Sequence, residues 1–120
     1  NKGPMKTLIA FIFSLTLSLN AQEKTNTTYT KKGALTQVVA YHTNGTIAQK
    51  GILKNNKLHG EWISYDEEGR KLTMGNYDNG VKTGKWLFWK ENQLLEVDYI
   101  DNKPNQTVQW TKASLASIEE

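Results

Sequence analysis

Residues 60–65 read Gly-Glu-Trp-Ile-Ser-Tyr, and the pattern returns 24 positions later as Gly-Lys-Trp-Leu-Phe-Trp at residues 84–89. Fainter copies reach back to Tyr29 and forward to Trp110. The repetition also extends beyond both stretches, with equivalent pairs at Gly45 and Gly69, Gly51 and Gly75, and Leu53 and Tyr77. A fixed period of this length indicates a repeat array.

Short β-rich runs alternate with turn signals along the body of the chain. Asn-Gly at residues 44–45 and 79–80 adopts positive φ at little cost, which favours tight turns. No stretch has a helical period, and Pro104 is assigned to the last turn. The pattern predicts an all-β fold, an elongated and twisted antiparallel meander of β-hairpin repeats. Its seven predicted strands are residues 35–41, 46–54, 61–65, 70–78, 85–90, 93–101 and 107–112.

The first segment has the three parts of a secretory signal peptide. Lys2 and Lys6 form a positive start, an apolar core follows, and small Ala21 suits the position before a cleavage site. The apolar run is shorter than the roughly 20 residues that a transmembrane helix needs, so we expect no transmembrane segment in the mature chain. We therefore expect export to the periplasm or the medium, with an uncleaved membrane anchor as the alternative. The expected divisions are a signal peptide at 1–21, in which Met5 is a candidate start, a polar lead-in at 22–34, the repeat domain at 35–112 and a tail at 113–120.

Composition excludes several classes of function. The net charge is +3, and Lys2 and Lys6 account for two of these charges, so the rest of the chain is nearly neutral. Arg70 is the only arginine and the lysines are scattered, whereas a nucleic-acid-binding domain clusters its cations on one face. The chain has no cysteine, which excludes disulfides, thiolate metal sites and a cysteine nucleophile. We expect no nucleic-acid partner.

Residues 55–69 and 79–89 resemble variant MORN repeats, in which a "Tyr-x-Asn-Gly-x-x-x-Gly-x-Trp" core is followed by an aromatic residue and a turn glycine. The resemblance covers residues 41–90 well and extends loosely to both sides. It implies a twisted antiparallel sheet with one hairpin per repeat. It also implies a role in protein scaffolding or membrane attachment, or as an antitoxin, since many bacterial members carry that label. The last copy departs from the pattern, because its glycines are replaced and its spacing shifts by two residues before it recovers at Trp110.

Candidate catalytic groups are few, and each has a simpler interpretation. His42 and His59 have no partner at metal-ligand spacing, so we interpret both as surface residues. The acidic run at residues 66–68 lacks the spacing of a calcium loop. Glu96 and Asp98 share a strand face, as glycosidase carboxylates could, but no acidic partner is readable across it. No phosphate-binding loop is present, so we expect no cofactor and no metal.

Alternation along the strands gives the sheet two apolar faces. One carries Val39, Tyr41, Ile63, Tyr65, Leu87 and Trp89, and its even pairing predicts that it is the core. The other carries the tryptophans beside the smaller Ala40 and Ser64, so we expect it to be partly exposed. An exposed apolar stripe marks an interaction site or a dimer interface. The candidate partner-binding residues are Trp62, Trp86, Phe88 and Trp110.

These observations favour a secreted or periplasmic MORN-like module that binds a protein or envelope component without catalysis. Two alternatives stay open, a small hydrolase acting on the cell envelope and an antitoxin that neutralises a partner toxin. A homo-oligomer also stays open. The structural repeat positions are Gly60, Gly84, Tyr65, Trp89, Gly45 and Gly69.

Gly60 and Gly84 stand two residues before the tryptophans, where a bulge or a close backbone approach is expected. Replacing either glycine by Val should lower the free energy of unfolding by about 1–3 kcal/mol, as other strained backbone positions do. Denaturant unfolding measures this loss. Unchanged midpoints in both variants would contradict the repeat register.

Overall fold

The computed structural model describes residues 26–114. They form eight antiparallel strands in one sheet, and each strand pairs with its neighbours in the chain. The first and last strands do not pair with each other, so both are edges of an open sheet. The predicted all-β meander is confirmed. The strands are β1 Asn26–Lys32, β2 Leu35–Tyr41, β3 Ile47–Lys54, β4 Lys57–Tyr65, β5 Lys71–Asp78, β6 Val81–Lys90, β7 Gln93–Ile100 and β8 Lys103–Thr111.

Several strand boundaries differ from the sequence prediction. Part of the expected lead-in forms β1, which pairs with β2 along its whole length. The second strands of the repeats begin at Lys57 and Val81, four residues earlier than predicted, because each continues through a glycine bulge. Pro104 lies within β8 rather than in a turn. It faces Tyr99 next to a register shift on the edge strand, where a missing N–H costs the sheet little. The expected signal peptide and residues 115–120 of the tail lie outside the described residues.

Two kinds of turn alternate along the meander. The hairpins β3–β4, β5–β6 and β7–β8 close through two residues, and both residues of each pair have positive φ. This is the geometry of a type I′ turn, which Asn, Asp and Gly adopt readily. Neighbouring hairpins are joined at these turns, since the Gly80 N–H donates to the Leu58 carbonyl and the Asn102 N–H donates to the Lys82 carbonyl. The turns at the opposite end are wider, except the two-residue β6–β7 connection.

The shortened β6–β7 connection explains the two-residue shift in the last copy of the sequence pattern. The earlier wide turns contain Gly45 and Gly69 at positive φ, each with its N–H bonded to a carbonyl three residues earlier. Residues 91 and 92 alone join β6 to β7. The register beyond this point therefore no longer follows the 24-residue spacing.

Each of the two central tryptophans lies on a glycine of the preceding strand. The Trp62 ring covers Gly51, and the Trp86 ring covers Gly75, so closely that a methyl group on either glycine would overlap the indole. The Trp62 Nε1 donates a 3.0 Å hydrogen bond to the Ile52 carbonyl, and the Trp86 Nε1 donates one of 3.1 Å to the Asn76 carbonyl. The same contact thus occurs twice at the sequence period.

These rings build the core, so the predicted assignment of the two faces is wrong. Trp62 is 4% exposed and Trp86 is 2% exposed, and they cluster with Val38 and Tyr77. The physical reason is the pair of glycines, which removes the side chains that would otherwise hold the indoles away from the sheet. The opposite face, called the second face below, carries Ile63, Tyr65, Met74, Leu87 and Trp89. Only Ile63 among these five is fully buried.

Gly60 and Gly84 lie at bulges. Their φ angles are +70° and +74°, a left-handed conformation that favours glycine. Opposite each, the register shifts by two residues, between Lys50 and Ile52 on β3 and between Met74 and Asn76 on β5. This is the position at which the sequence predicts a bulge. The extra residues bend the strand at the point where the indole turns onto its glycine.

We predict that the two kinds of glycine respond differently to the same substitution. Gly75→Asn should lower the free energy of unfolding by about 1–3 kcal/mol, because its Cβ overlaps the Trp86 ring. Gly84→Asn should cost less than about 1 kcal/mol, because Asn tolerates positive φ and no atom lies within 4 Å of the added Cβ. Urea unfolding of both variants measures the difference. A larger loss for Gly84→Asn would contradict the role given to the indole contact.

Candidate functional site

A groove opens at the wide-turn end of the second face. It has a volume of about 1000 Å³ and runs between the β4–β5 turn and the β6–β7 turn. Its apolar surface comes from two residues, Trp89 and Leu72. Trp89 is half-buried, and Leu72 is 41% exposed. Its remaining lining is polar and is contributed by Asp66, Arg70, Lys71, Lys90, Glu91, Asn92 and Gln93.

The β4–β5 side of the groove is held by a charged network. The Arg70 Nε donates to Asp66 Oδ2 at 2.8 Å, and its Nη2 donates to Glu68 Oε1 at 3.1 Å. The backbone N–H groups of Glu68 and Arg70 both donate to Asp66 Oδ1 at 2.9 Å. The Arg70 backbone N–H is the largest cause that lowers the pKa of Asp66. Asp66 therefore orders the turn as a carboxylate, and the Arg70 side chain is already paired with Asp66.

A second unusual site lies on the core face. Lys82 is 4% exposed, yet none of the ion pairs among residues 26–114 includes it. Its Nζ lies 4.7 Å from the ring centroid of Trp86, 4.9 Å from Tyr99 and 5.9 Å from Phe88. These distances are within the range of cation–π attraction. Burial lowers the pKa of Lys82, because desolvation disfavours the ammonium. We call Trp86, Phe88 and Tyr99 the aromatic box.

The structure separates the four residues that the sequence nominates for partner binding. Trp62 and Trp86 are buried in the core, so their predicted exposure is wrong. Phe88 is half-buried as one wall of the aromatic box. Trp110 pairs with Leu94 and thereby lies on the second face with Trp89. A one-residue bulge between β7 and β8, at the register shift between Asp98 and Tyr99, moves Trp110 to the other side of the sheet from the earlier tryptophans. Its Nε1 is buried and has no hydrogen-bond partner in the described part of the chain.

With the faces exchanged, the residues available for contact are those of the second face. Tyr41, Tyr65 and Trp89 are all half-buried there and keep part of their rings accessible. The Lys50 Nζ lies 5.9 Å from the Tyr65 ring centroid, so a cation already lies over that ring. Trp89 is the one member of this series that lines the groove.

Sequence reasoning missed Lys82, although the repeat contains a signal for it. Lys82 stands 24 residues after Leu58, so a lysine replaces an apolar residue that packs against the core. Phe88 likewise stands where the earlier repeat has Ser64. The cation and one of its three ring walls therefore occur together in one repeat and are both absent from the other.

The candidate catalytic residues take part in structural contacts. The His42 Nε2 lies 2.9 Å from the Tyr65 carbonyl, and the Asn79 backbone N–H donates to His59 Nδ1 at 3.2 Å. Glu96 forms an ion pair of 3.7 Å with Lys85. Within residues 26–114 no group of three or more His, Cys, Asp or Glu side chains could hold a metal ion. The same range contains no helix long and apolar enough to cross a membrane.

Comparison of the chain with known protein families, with curated proteins and with solved structures gives no match.

The buried side chain of Tyr77 makes the free energy of unfolding depend on pH in the alkaline range. Burial raises the pKa of Tyr77 to about 12, with a smaller contribution from Tyr99. The phenol therefore stays neutral in the fold at pH values where the unfolded chain ionises, and its contribution is lost as pH rises from about 10 to about 12. Wild type should lose about 2 kcal/mol more than Tyr77→Phe over this interval. Urea unfolding at both pH values measures the difference, and parallel losses in the two proteins would contradict it.

Proposed function

We propose that this chain is an exported, non-catalytic binding module of the variant MORN-repeat type, and that it binds a protein through the groove beside Trp89. The repeat resemblance supports the class of protein. The observation that carries the binding site is the groove itself, an open depression of about 1000 Å³ with an accessible indole at one wall. Pockets of this kind combine apolar side chains with a few directed polar groups.

The lining of the groove favours a polypeptide partner. Trp89 and Leu72 offer apolar contact, while Lys71, Lys90 and Glu91 place charges of both signs around it. Interfaces between proteins combine an aromatic anchor with a polar rim in this way. The groove also lies at the ends of strands, so its polar lining comes from turns and from terminal strand residues, which can form hydrogen bonds without disturbing the sheet.

The hydrolase alternative has less support. Glycoside hydrolysis needs a carboxylic acid that stays protonated beside a second carboxylate. Asp66 has a lowered pKa and accepts hydrogen bonds from Arg70 and Glu68 on both oxygens, so it is poorly suited to donate a proton. Sugar is the alternative ligand for the same groove, with the aromatic side chain as its platform.

Site-specific photocrosslinking tests the proposal. A photoreactive phenylalanine analogue at Leu72, inside the groove, should form a protein adduct in envelope extract. The same analogue at Ile100 is the matched control, because Ile100 is 59% exposed and does not line the groove. Adding Trp89→Ala should reduce the Leu72 adduct at least about fivefold, as expected for loss of an aromatic anchor.

Three outcomes contradict this proposal. Adducts of equal yield from Leu72 and Ile100 would indicate non-specific contact. An unchanged yield in the Trp89→Ala background would remove the anchor. Absence of any protein adduct together with Trp89-dependent binding of cell-wall oligosaccharide would establish the sugar platform instead.

A further inference from the structure

We propose that the aromatic box is a binding site for quaternary or methylated ammonium groups, and that the Lys82 side chain occupies it in this structure. This site is independent of the groove at Trp89. Nζ of Lys82 lies within 6 Å of three ring centroids, those of Trp86, Tyr99 and Phe88. Aromatic walls around one positive centre are the arrangement by which proteins recognise choline-like and methylated cations.

The fold itself does not require a cation at this position. Leu58 occupies the equivalent place in the preceding repeat and packs against the same core. A leucine there would bury an apolar side chain without desolvation cost, whereas an ammonium loses part of its hydration there. Phe88, the third wall, is present only in the repeat that has the lysine. The two substitutions together create a site with cation chemistry in one repeat and leave the other as an internal control.

The ring geometry suits a compact cation. Trp86 and Tyr99 meet edge to face at 6.0 Å with 74° between their planes, while Trp86 and Phe88 are stacked at 6.1 Å. Lys82 therefore contacts differently oriented ring faces. Phe88 and Tyr99 are only half-buried, so the box borders on solvent and an external group can reach it.

An external quaternary ammonium has an advantage over the internal lysine. A primary ammonium is a strongly hydrated point charge, and its burial without a carboxylate is costly. A quaternary ammonium is less hydrated and loses less on entering the rings. Exchange would also return Lys82 to water on its flexible four-carbon stem. Lys82 therefore acts as a replaceable occupant, and its removal should expose the site.

The test uses choline and its neutral isostere 3,3-dimethyl-1-butanol with the full chain. Calorimetric titration should give choline binding to Lys82→Ala that is at least about tenfold tighter than to wild type. The neutral isostere should bind Lys82→Ala at least about fivefold more weakly than choline, because it has the same shape without the charge. Adding Phe88→Ser, which restores the residue of the first repeat, should abolish the preference for choline.

Wild-type protein provides a second measurement that does not depend on the folding of the variant. In indole ¹H–¹⁵N spectra, millimolar choline should shift the Trp86 signal and leave the Trp62 signal unchanged, since Trp62 has Leu58 and Ser64 in place of the lysine and the phenylalanine. Sedimentation with phosphatidylcholine and phosphatidylglycerol vesicles then distinguishes a lipid headgroup from a free cation. Selective binding to the first indicates a headgroup, and binding of free choline alone indicates a small cation. Equal affinity for choline and its isostere, or equal shifts of both indoles, would overturn the proposal.

Discussion

The contact between an indole and a bare backbone organises this sheet. Trp62 on Gly51 and Trp86 on Gly75 each place a large ring flat against the preceding strand, where any side chain would block it. Each ring reaches across its glycine towards the next member of the core, Val38 in one case and Trp62 in the other. Each repeat extends the core by one contact of this kind, so one glycine and one tryptophan per repeat are enough to continue it.

Bulges next to this contact explain why an open sheet can carry apolar residues on both faces. Positive φ at Gly60 and Gly84 introduces bulges, and bulges increase the local twist and bend the strand. Only Ile63 and parts of its neighbours become covered on the second face. Trp89 stays accessible because β6–β7 closes through two residues, which leaves an open space beside the wider β4–β5 turn.

The hairpin that carries Lys82 is held by backbone hydrogen bonds that do not involve the lysine side chain. The backbone around it is fixed by hydrogen bonds with Asn102, whose N–H donates to the Lys82 carbonyl and whose Oδ1 accepts from the Lys82 N–H. The side chain at this position can therefore change while the hairpin persists. A cation within reach of three rings separates this position from Leu58, which only fills space.

The sequence alone determined the period, the strand type and most turns, because these depend on local chemistry: alternation of apolar residues, and Asn, Asp and Gly at positive φ. It also located the bulges at Gly60 and Gly84. Tertiary structure decided which face is the core, since two apolar faces are equivalent until the rings meet the glycines of neighbouring strands. Tertiary structure also decided the face of Trp110, which changes after the one-residue bulge between β7 and β8, and it formed the groove at Trp89. The aromatic box also depends on tertiary structure, because only the pairing of β6 with β7 brings Tyr99 next to Lys82.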